Sequence, residues 1–130
     1  MANDQCFPVG VGTPGYWKNH PEAWPVDAIT VGGQVFTKEQ AIGIMSLSVR
    51  KDKSLTMFKA YVAAKLNVLI GNCPPEGCYT LAEVNDWLTW FPVLSGVPAK
   101  SEAWQYSHGE ALYWCLDDYN NGRLNMPSRD

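Results

Sequence analysis

The clearest pattern along the chain is an apolar stripe between residues 54 and 70. Its members recur at intervals of three and four positions, which is the spacing of one face of an α-helix. The alanines in the same stretch have a high helix propensity. Gly71 follows directly, and glycine is common just after the last residue of a helix. The pattern predicts a helix over residues 54–70 with core positions Leu55, Phe58, Val62, Leu66 and Leu69.

Two further helices are indicated by capping boxes, in which a threonine and a residue three positions later satisfy N–H groups at a helix start. Thr37 and Gln40 predict a helix that ends near residue 47. Thr80 and Glu83 predict another that is stopped by Pro92. The expected inward positions are Ala41, Ile44 and Met45 in the first, and Leu81, Val84, Leu88 and Phe91 in the second.

The last helix is expected from about Ser101 to about Tyr119. Asn121 and Gly122 then stop it, and residues 123–130 are typical of a frayed tail. His108 is expected on the apolar face, as a hydrogen-bonded core histidine. That face would consist of Trp104, His108, Leu112, Cys115 and Tyr119.

The remaining segments are short or irregular. Residues 28–36 predict a β-hairpin, because two β-prone runs flank the turn pair Gly32 and Gly33. Residues 19–25 predict one helical turn with Pro21 at its first position. Prolines and glycines in residues 1–18 predict an irregular N-terminal arm. The fold class is therefore mainly α, with about four helices and one short hairpin, in a single domain over residues 1–130.

Composition restricts the classes of function. Apolar residues make up 46% of the chain, enough to fill a core, and the net charge is −3 without a basic stripe for nucleic acid. No apolar run reaches the roughly 18 residues of a membrane span. Asn3, Asp4 and Gln5 do not resemble a signal peptide, which suits either a mature exported chain with an added methionine or a cytosolic one.

Four cysteines favour the exported interpretation. An even number of cysteines in a small chain is typical of disulfides in an oxidising compartment. The preferred pairing joins Cys73 with Cys78 across a short turn, and Cys6 with Cys115 to attach the arm to the last helix. The alternative keeps Cys115 as a buried free thiol.

The most distinctive motif is residues 13–25, TPGYWKNHPEAWP. It resembles a segment found in a family of secreted, mostly uncharacterised bacterial proteins. The resemblance extends in order to about residue 122, through the glycine pair of the hairpin, the segment Ala63-Ala64-Lys65-Leu66-Asn67, and residues 109–112 and 116–122. It implies export and a shared fold, and it implies no particular activity.

The motif has two interpretations. As a ligand face, its aromatic rings would stack on a sugar while nearby polar groups bind hydroxyls. As core, the rings would attach the arm to the domain and the polar groups would satisfy their N–H and O–H groups. An acidic exported chain makes a glycan a better candidate than a nucleic acid. The ligand face would consist of Tyr16, Trp17, Lys18, Asn19, His20, Glu22 and Trp24.

Two chemical alternatives remain. A small secreted hydrolase would use Glu22 or Glu110 with His20, provided that these side chains converge in one pocket. A zinc site would need Cys73, Cys78, His20 and His108, although the Cys-x4-Cys spacing is wide for zinc. No complete catalytic motif is present, and neither a metal nor a cofactor is expected.

The sequence therefore favours an extracellular or cell-surface module that acts by binding or assembly rather than by catalysis. Its expected partner is a glycan or another cell-surface protein, and its homo-oligomeric state is left open. The secreted hydrolase is the alternative.

Overall fold

The computed structural model describes residues 5–129 and consists of helices and one antiparallel hairpin. A short 3-10 turn, Pro21–Ala23, follows the first helix. Four of the helices in the described part have more than six residues, so the expected mainly α fold with about four helices and one hairpin is confirmed. The elements are α1 (Pro14–Asn19), β1 (Ala28–Val31), β2 (Gln34–Thr37), α2 (Lys38–Met45), α3 (Lys53–Leu69), α4 (Leu81–Trp90), α5 (Glu102–Gln105) and α6 (Gly109–Asn120).

Helix α3 lies at the centre, with α1, α2, α4, α6 and β1 packed around it. The predicted stripe is buried apart from Leu69, which is exposed at the last turn. Burial extends well beyond one face, because other elements cover most of the helix circumference. The additional buried positions are Ser54, Met57, Ala60, Tyr61, Ala63, Ala64 and Asn67.

Both predicted capping boxes are confirmed. The Thr37 hydroxyl accepts a hydrogen bond from the N–H of Gln40 at 3.1 Å, and the Gln40 side chain accepts one from the N–H of Thr37 at 2.9 Å. Thr80 and Glu83 make the same reciprocal pair at the start of α4. These bonds involve only neighbouring residues, which is why the sequence alone located both helix starts.

The hairpin is also confirmed, with Val31 opposite Gln34 at its turn. Gly32 has a φ of +57°, and a side chain there would meet the carbonyl oxygen of Leu88 at 2.6 Å. The N–H of Gly32 donates to the Asn85 side chain at 2.8 Å, which ties the turn to α4. Glycine at this position thus allows both the turn and its close approach to α4.

The single helix predicted from about Ser101 to Tyr119 is wrong. Helix α5 ends at Gln105, and His108 takes a left-handed conformation with a φ of +60° before α6 begins. His108 is consequently exposed, and it is not the core histidine that the periodicity suggested. Leu112, Cys115 and Tyr119 are buried as expected, because they belong to α6 on the far side of the break.

Two disulfides form, as predicted, but the preferred pairing is wrong. Cys6 bonds to Cys73 and Cys78 bonds to Cys115. The first bridge attaches the arm to the end of α3, and the second attaches the segment before α4 to α6. Local loop length favoured the other pairing, but the docking of α6 beside α4 brings Cys78 and Cys115 to a Cα separation of 6.0 Å.

The two chain ends are more ordered than expected in their described parts. Helix α1 begins at Pro14, so the arm is irregular only up to that point, while residues 1–4 of the predicted arm lie outside the described residues. Near the other end, Val11 forms a parallel bridge with Ser128. The N–H of Val11 donates to the carbonyl of Pro127 at 2.8 Å, and the N–H of Arg129 donates to the carbonyl of Val11 at 2.9 Å. The prediction of a frayed tail is therefore wrong over residues 123–129, and residue 130 lies outside the described range.

No helix in the described part of the chain is both long and apolar enough to cross a membrane. The single helical turn predicted over residues 19–25 is present as a 3-10 turn that begins at Pro21, with His20 at its cap position.

Candidate functional site

The two tryptophans of the 13–25 motif belong to the core. Trp17 has no exposed surface and Trp24 is nearly buried. The indole N–H of Trp24 donates to the carbonyl of Trp17 at 2.8 Å, and that of Trp17 donates to the Asn67 side chain at 3.0 Å. Both indole rings are thus enclosed with their polar atoms satisfied, which matches the core interpretation for these two residues.

A buried asparagine cluster (Asn67, Asn72 and Asn120) holds the arm against α3. The Asn67 amide accepts from the N–H of Gly12 at 2.8 Å and donates to the Gly12 carbonyl at 2.9 Å. Asn72 makes the equivalent pair with Gly10, at 2.9 and 2.7 Å. Each side-chain amide supplies one acceptor and one donor, as the edge strand of a β-sheet does. The buried backbone N–H and C=O groups of the irregular segment are satisfied in this way.

The cluster also joins α3 to α6. The Asn67 side chain donates to the Asn120 oxygen at 3.0 Å, and the Asn120 side chain donates to the carbonyl of Ala60 at 3.0 Å. These contacts account for every polar atom of Asn67, so it has no free group for a ligand. The cluster is therefore a structural device.

The rest of the proposed ligand face forms a shallow exposed surface. His20 and Glu22 are exposed and contact each other, with Nδ1 and Oε2 separated by 3.0 Å. The backbone N–H of Glu22 and then the His20 side chain lower the pKa of this carboxyl. Half-buried Tyr16 lies between the His20 ring at 4.5 Å and the Arg129 guanidinium at 5.6 Å. Lys18 is half-buried and Asn19 is exposed beside them.

The residues of the hydrolase alternative do not surround a common cavity. His20 and Glu22 lie on the exposed surface that follows α1, whereas Glu110 is in the first turn of α6. The zinc alternative is excluded by the disulfides, which consume all four thiols. Among residues 5–129, no group of three histidine, cysteine or acidic side chains is arranged to hold a metal ion.

A different site lies between α4 and the junction of α5 with α6. It is an open cleft of about 410 Å³, within the size range of small-molecule sites. One wall is α4, the other is the start of α6, and Tyr79 before α4 also lines the cleft. The lining consists of Tyr79, Glu83, Asp86, Trp87, Trp90, Phe91, Ser107, His108 and Leu112.

The spacing of residues on α4 aims its aromatic and acidic side chains at the cleft. Glu83, Trp87 and Trp90 recur at intervals of four and three, so they occupy one side of the helix, and Asp86 lies next to them. The buried stripe of Val84 and Leu88 faces α3 instead. Trp90 is 80% exposed although it is the largest side chain type, which leaves its ring available to a ligand.

The inner wall of the cleft is held in place by close contacts between α4, α5 and α6. The indole N–H of Trp87 donates to the carbonyl of Ala103 at 3.0 Å, and its ring packs edge-on against Trp104 at 5.8 Å. Gly109 lies so close that an added Cβ would meet Ala103, Trp104 and Trp87 at 2.9 Å each. Glycine at this position therefore allows α6 to start directly against the aromatic wall.

The cleft is acidic and contains unused hydrogen-bonding groups. One oxygen of Glu83 accepts the capping bond from the N–H of Thr80 at 2.8 Å, and the second oxygen makes no hydrogen bond within residues 5–129. Asp86 makes no hydrogen bond or ion pair with any residue of the described chain. The His108 ring lies beside Tyr79, with 6.2 Å between the ring centroids. These side chains can therefore bind a ligand without breaking an existing contact.

The sequence interpretation missed this site, although a signal was present. Trp87 and Trp90 do not belong to the stripe predicted for α4, and a tryptophan on the polar side of a helix is unusual. The opposite wall could not be found, because it depends on the break at His108. None of the seven residues of the proposed ligand face lines the cleft.

The chain matches no protein-family model, and neither a curated protein nor a solved structure is significantly similar to it. The function must therefore be argued from the geometry of the cleft itself.

Proposed function

We propose that this protein is an exported binding module whose ligand is a saccharide, held in the cleft between α4 and α6. The observation that carries the proposal is the exposed ring of Trp90 beside two carboxylates that have free oxygens. A flat aromatic ring offers the apolar face of a sugar a surface for stacking. Carboxylate oxygens accept the hydrogen bonds of sugar hydroxyls.

The shape of the cleft favours an extended ligand over a compact ligand that the protein would have to enclose. The cleft is open to solvent, and the aromatic rings of Trp87 and Phe91 lie side by side in it, with 4.9 Å between their centroids. Trp90 projects beyond them at the rim. An oligosaccharide can place one ring on Trp90 and extend over the neighbouring apolar surface.

Export is the expected location for such a module. Both disulfides join segments that are distant in sequence, at separations of 67 and 37 residues. Structural disulfides persist in oxidising compartments and are rare in the cytosol of most organisms. The resemblance of residues 13–122 to secreted bacterial proteins points the same way.

Calorimetric titration with three β-1,4-linked trisaccharides would test the proposal. They are built on glucose, on N-acetylglucosamine and on N,N,N-trimethylglucosamine, so that backbone and length are matched. We expect at least one trimer to bind, and Trp90→Ala to weaken that binding about tenfold, the value of one stacked aromatic face.

Trp114→Ala is the matched control, because Trp114 is also exposed, at 53%, but lies outside the cleft on α6. Its affinity for the trimers should equal that of the unaltered protein. Binding of no trimer, or equal losses in both tryptophan variants, would show that the cleft is not a saccharide site.

A further inference from the structure

We propose that the saccharide carries a positively charged nitrogen, as an amino sugar with a free or alkylated amine does, and that this cation binds between the ring of Trp90 and the carboxylate of Asp86. The inference rests on the proposed saccharide function and specifies the ligand class of the same cleft.

Both carboxylates that line the cleft favour a cation. Glu83 and Asp86 are one turn apart on α4 and both line the cleft. No lysine or arginine is part of the lining. The neighbouring Lys53 lies 5.4 Å from the ring of Trp104, outside the cleft lining, and does not neutralise either carboxylate through an ion pair.

The two unpaired carboxylates of the cleft are electrostatically unfavourable for the folded protein. Like charges three positions apart on a helix repel each other, and the chain already has a net charge of −3. Elsewhere in the molecule a similar pair, Asp117 and Asp118, is neutralised by Arg123 at 3.3 and 3.4 Å. The pair in the cleft has no such partner within residues 5–129, which is the arrangement a cationic ligand would complete.

The aromatic walls favour the same charge. The face of an indole ring carries negative electrostatic potential and attracts an ammonium group, most strongly when the group is alkylated and weakly hydrated. Trp90 lies four positions after Asp86, so the ring and the carboxylate are on one side of α4. An anionic sugar would meet repulsion from both, and a neutral sugar would leave both attractions unused.

The same three trisaccharides test this inference. We expect the trimethylglucosamine trimer to bind about tenfold more tightly than the N-acetylglucosamine trimer, from one cation–π contact and one exposed ion pair. The preference should shrink when salt is raised, because exposed charges are screened. Equal affinities for the charged and neutral trimers would overturn the inference and leave the saccharide function standing.

Charge-neutralising variants identify the groups responsible. Glu83→Gln keeps the capping acceptor, since glutamine serves equally in a capping box. The double variant Glu83→Gln and Asp86→Asn should lose the preference for the charged trimer, because its affinity for that trimer should fall more than its affinity for the neutral trimers. Asp27→Asn, an exposed carboxylate outside the cleft, is the control and should keep the full preference.

Three results would count against the assignment. If the preference survives in the double variant, the overall charge of the protein causes it. If Trp90→Ala keeps the full preference, the cation does not contact that ring. If tetramethylammonium chloride alone binds as tightly as the charged trimer, the sugar contributes nothing and the ligand is not an amino sugar.

Discussion

The 13–25 motif and the cleft beside α4 are both rich in tryptophan, yet the fold uses their tryptophans in opposite ways. In the motif, Trp17 and Trp24 are buried and their N–H groups are bonded to Asn67 and to the backbone. In the cleft, Trp90 is exposed and Asp86 has no partner in the described chain. Aromatic density along a sequence therefore does not distinguish buried core from an exposed cleft.

The largest changes in stability are expected when a disulfide is removed. Replacing Cys6 and Cys73 by serine, or Cys78 and Cys115 by serine, should each lower the free energy of unfolding by about 4 kcal/mol on the chain-entropy account. Only the removal of the Cys78–Cys115 bridge should also weaken trisaccharide binding, because Cys78 directly precedes Tyr79, which lines the cleft. Denaturant unfolding and calorimetry measure the two effects separately.

If removal of the Cys6 bridge weakened binding as much as removal of the Cys115 bridge, the two regions would be energetically coupled. The arm would then contribute to ligand binding as well as to stability, which would contradict its role as a purely structural support.

The next effect concerns the asparagine cluster. Asn67→Ala would leave the N–H of Gly12, the indole of Trp17 and the oxygen of Asn120 without partners in the core. We expect a loss of about 3 kcal/mol or more in the free energy of unfolding, because each buried unsatisfied group costs about 1–3 kcal/mol. Asn19→Ala, in the exposed part of the motif, should change stability by less than about 0.5 kcal/mol.

A smaller effect is expected at the inner wall of the cleft. Gly109→Ala should destabilise the protein by about 2 kcal/mol, because its Cβ would overlap Ala103, Trp104 and Trp87. The control is Gly43→Ala in α2, where an added Cβ meets nothing within 4 Å. Alanine there should stabilise by about 0.5–1 kcal/mol. Thermal unfolding of the two variants should therefore shift in opposite directions, and shifts of the same sign would contradict the packing argument.

The smallest stability effects should occur in the cleft itself. Trp90→Ala removes an exposed ring and should change the free energy of unfolding by less than about 0.5 kcal/mol. Asp86→Asn should raise it by about 0.2–0.5 kcal/mol, since a like-charge repulsion with Glu83 is relieved. A large loss of stability in either variant would mean that these side chains support the fold and are not held ready for a ligand.

Helices whose determinants lie within a few residues were predictable. The capping boxes at Thr37 and Thr80 and the apolar stripe of α3 each depend on contacts between residues three or four apart. The hairpin turn at Gly32 belongs to the same group, because its backbone conformation needs glycine whatever surrounds it. The presence of disulfides followed from the cysteine count.

Features that depend on distant contacts were not predictable. Residues 101–119 have helical periodicity throughout, but the packing of Gly109 against Trp87 requires a break at His108. The disulfide pairing depends on where α6 docks, and loop length alone cannot reveal that. The described tail is ordered because Val11 offers it backbone partners, and residue 11 is distant in sequence from residue 128.

The mainly helical class, the helix starts at Thr37 and Thr80, the hairpin and the oxidised cysteines could thus be predicted from the sequence, because each is set by local backbone preferences or by composition. Which aromatic residues belong to the core and which line the cleft depends on the tertiary structure. Burial is a property of how elements pack, and a tryptophan on α1 and a tryptophan on α4 differ in exposure solely through the neighbours that the fold places over them.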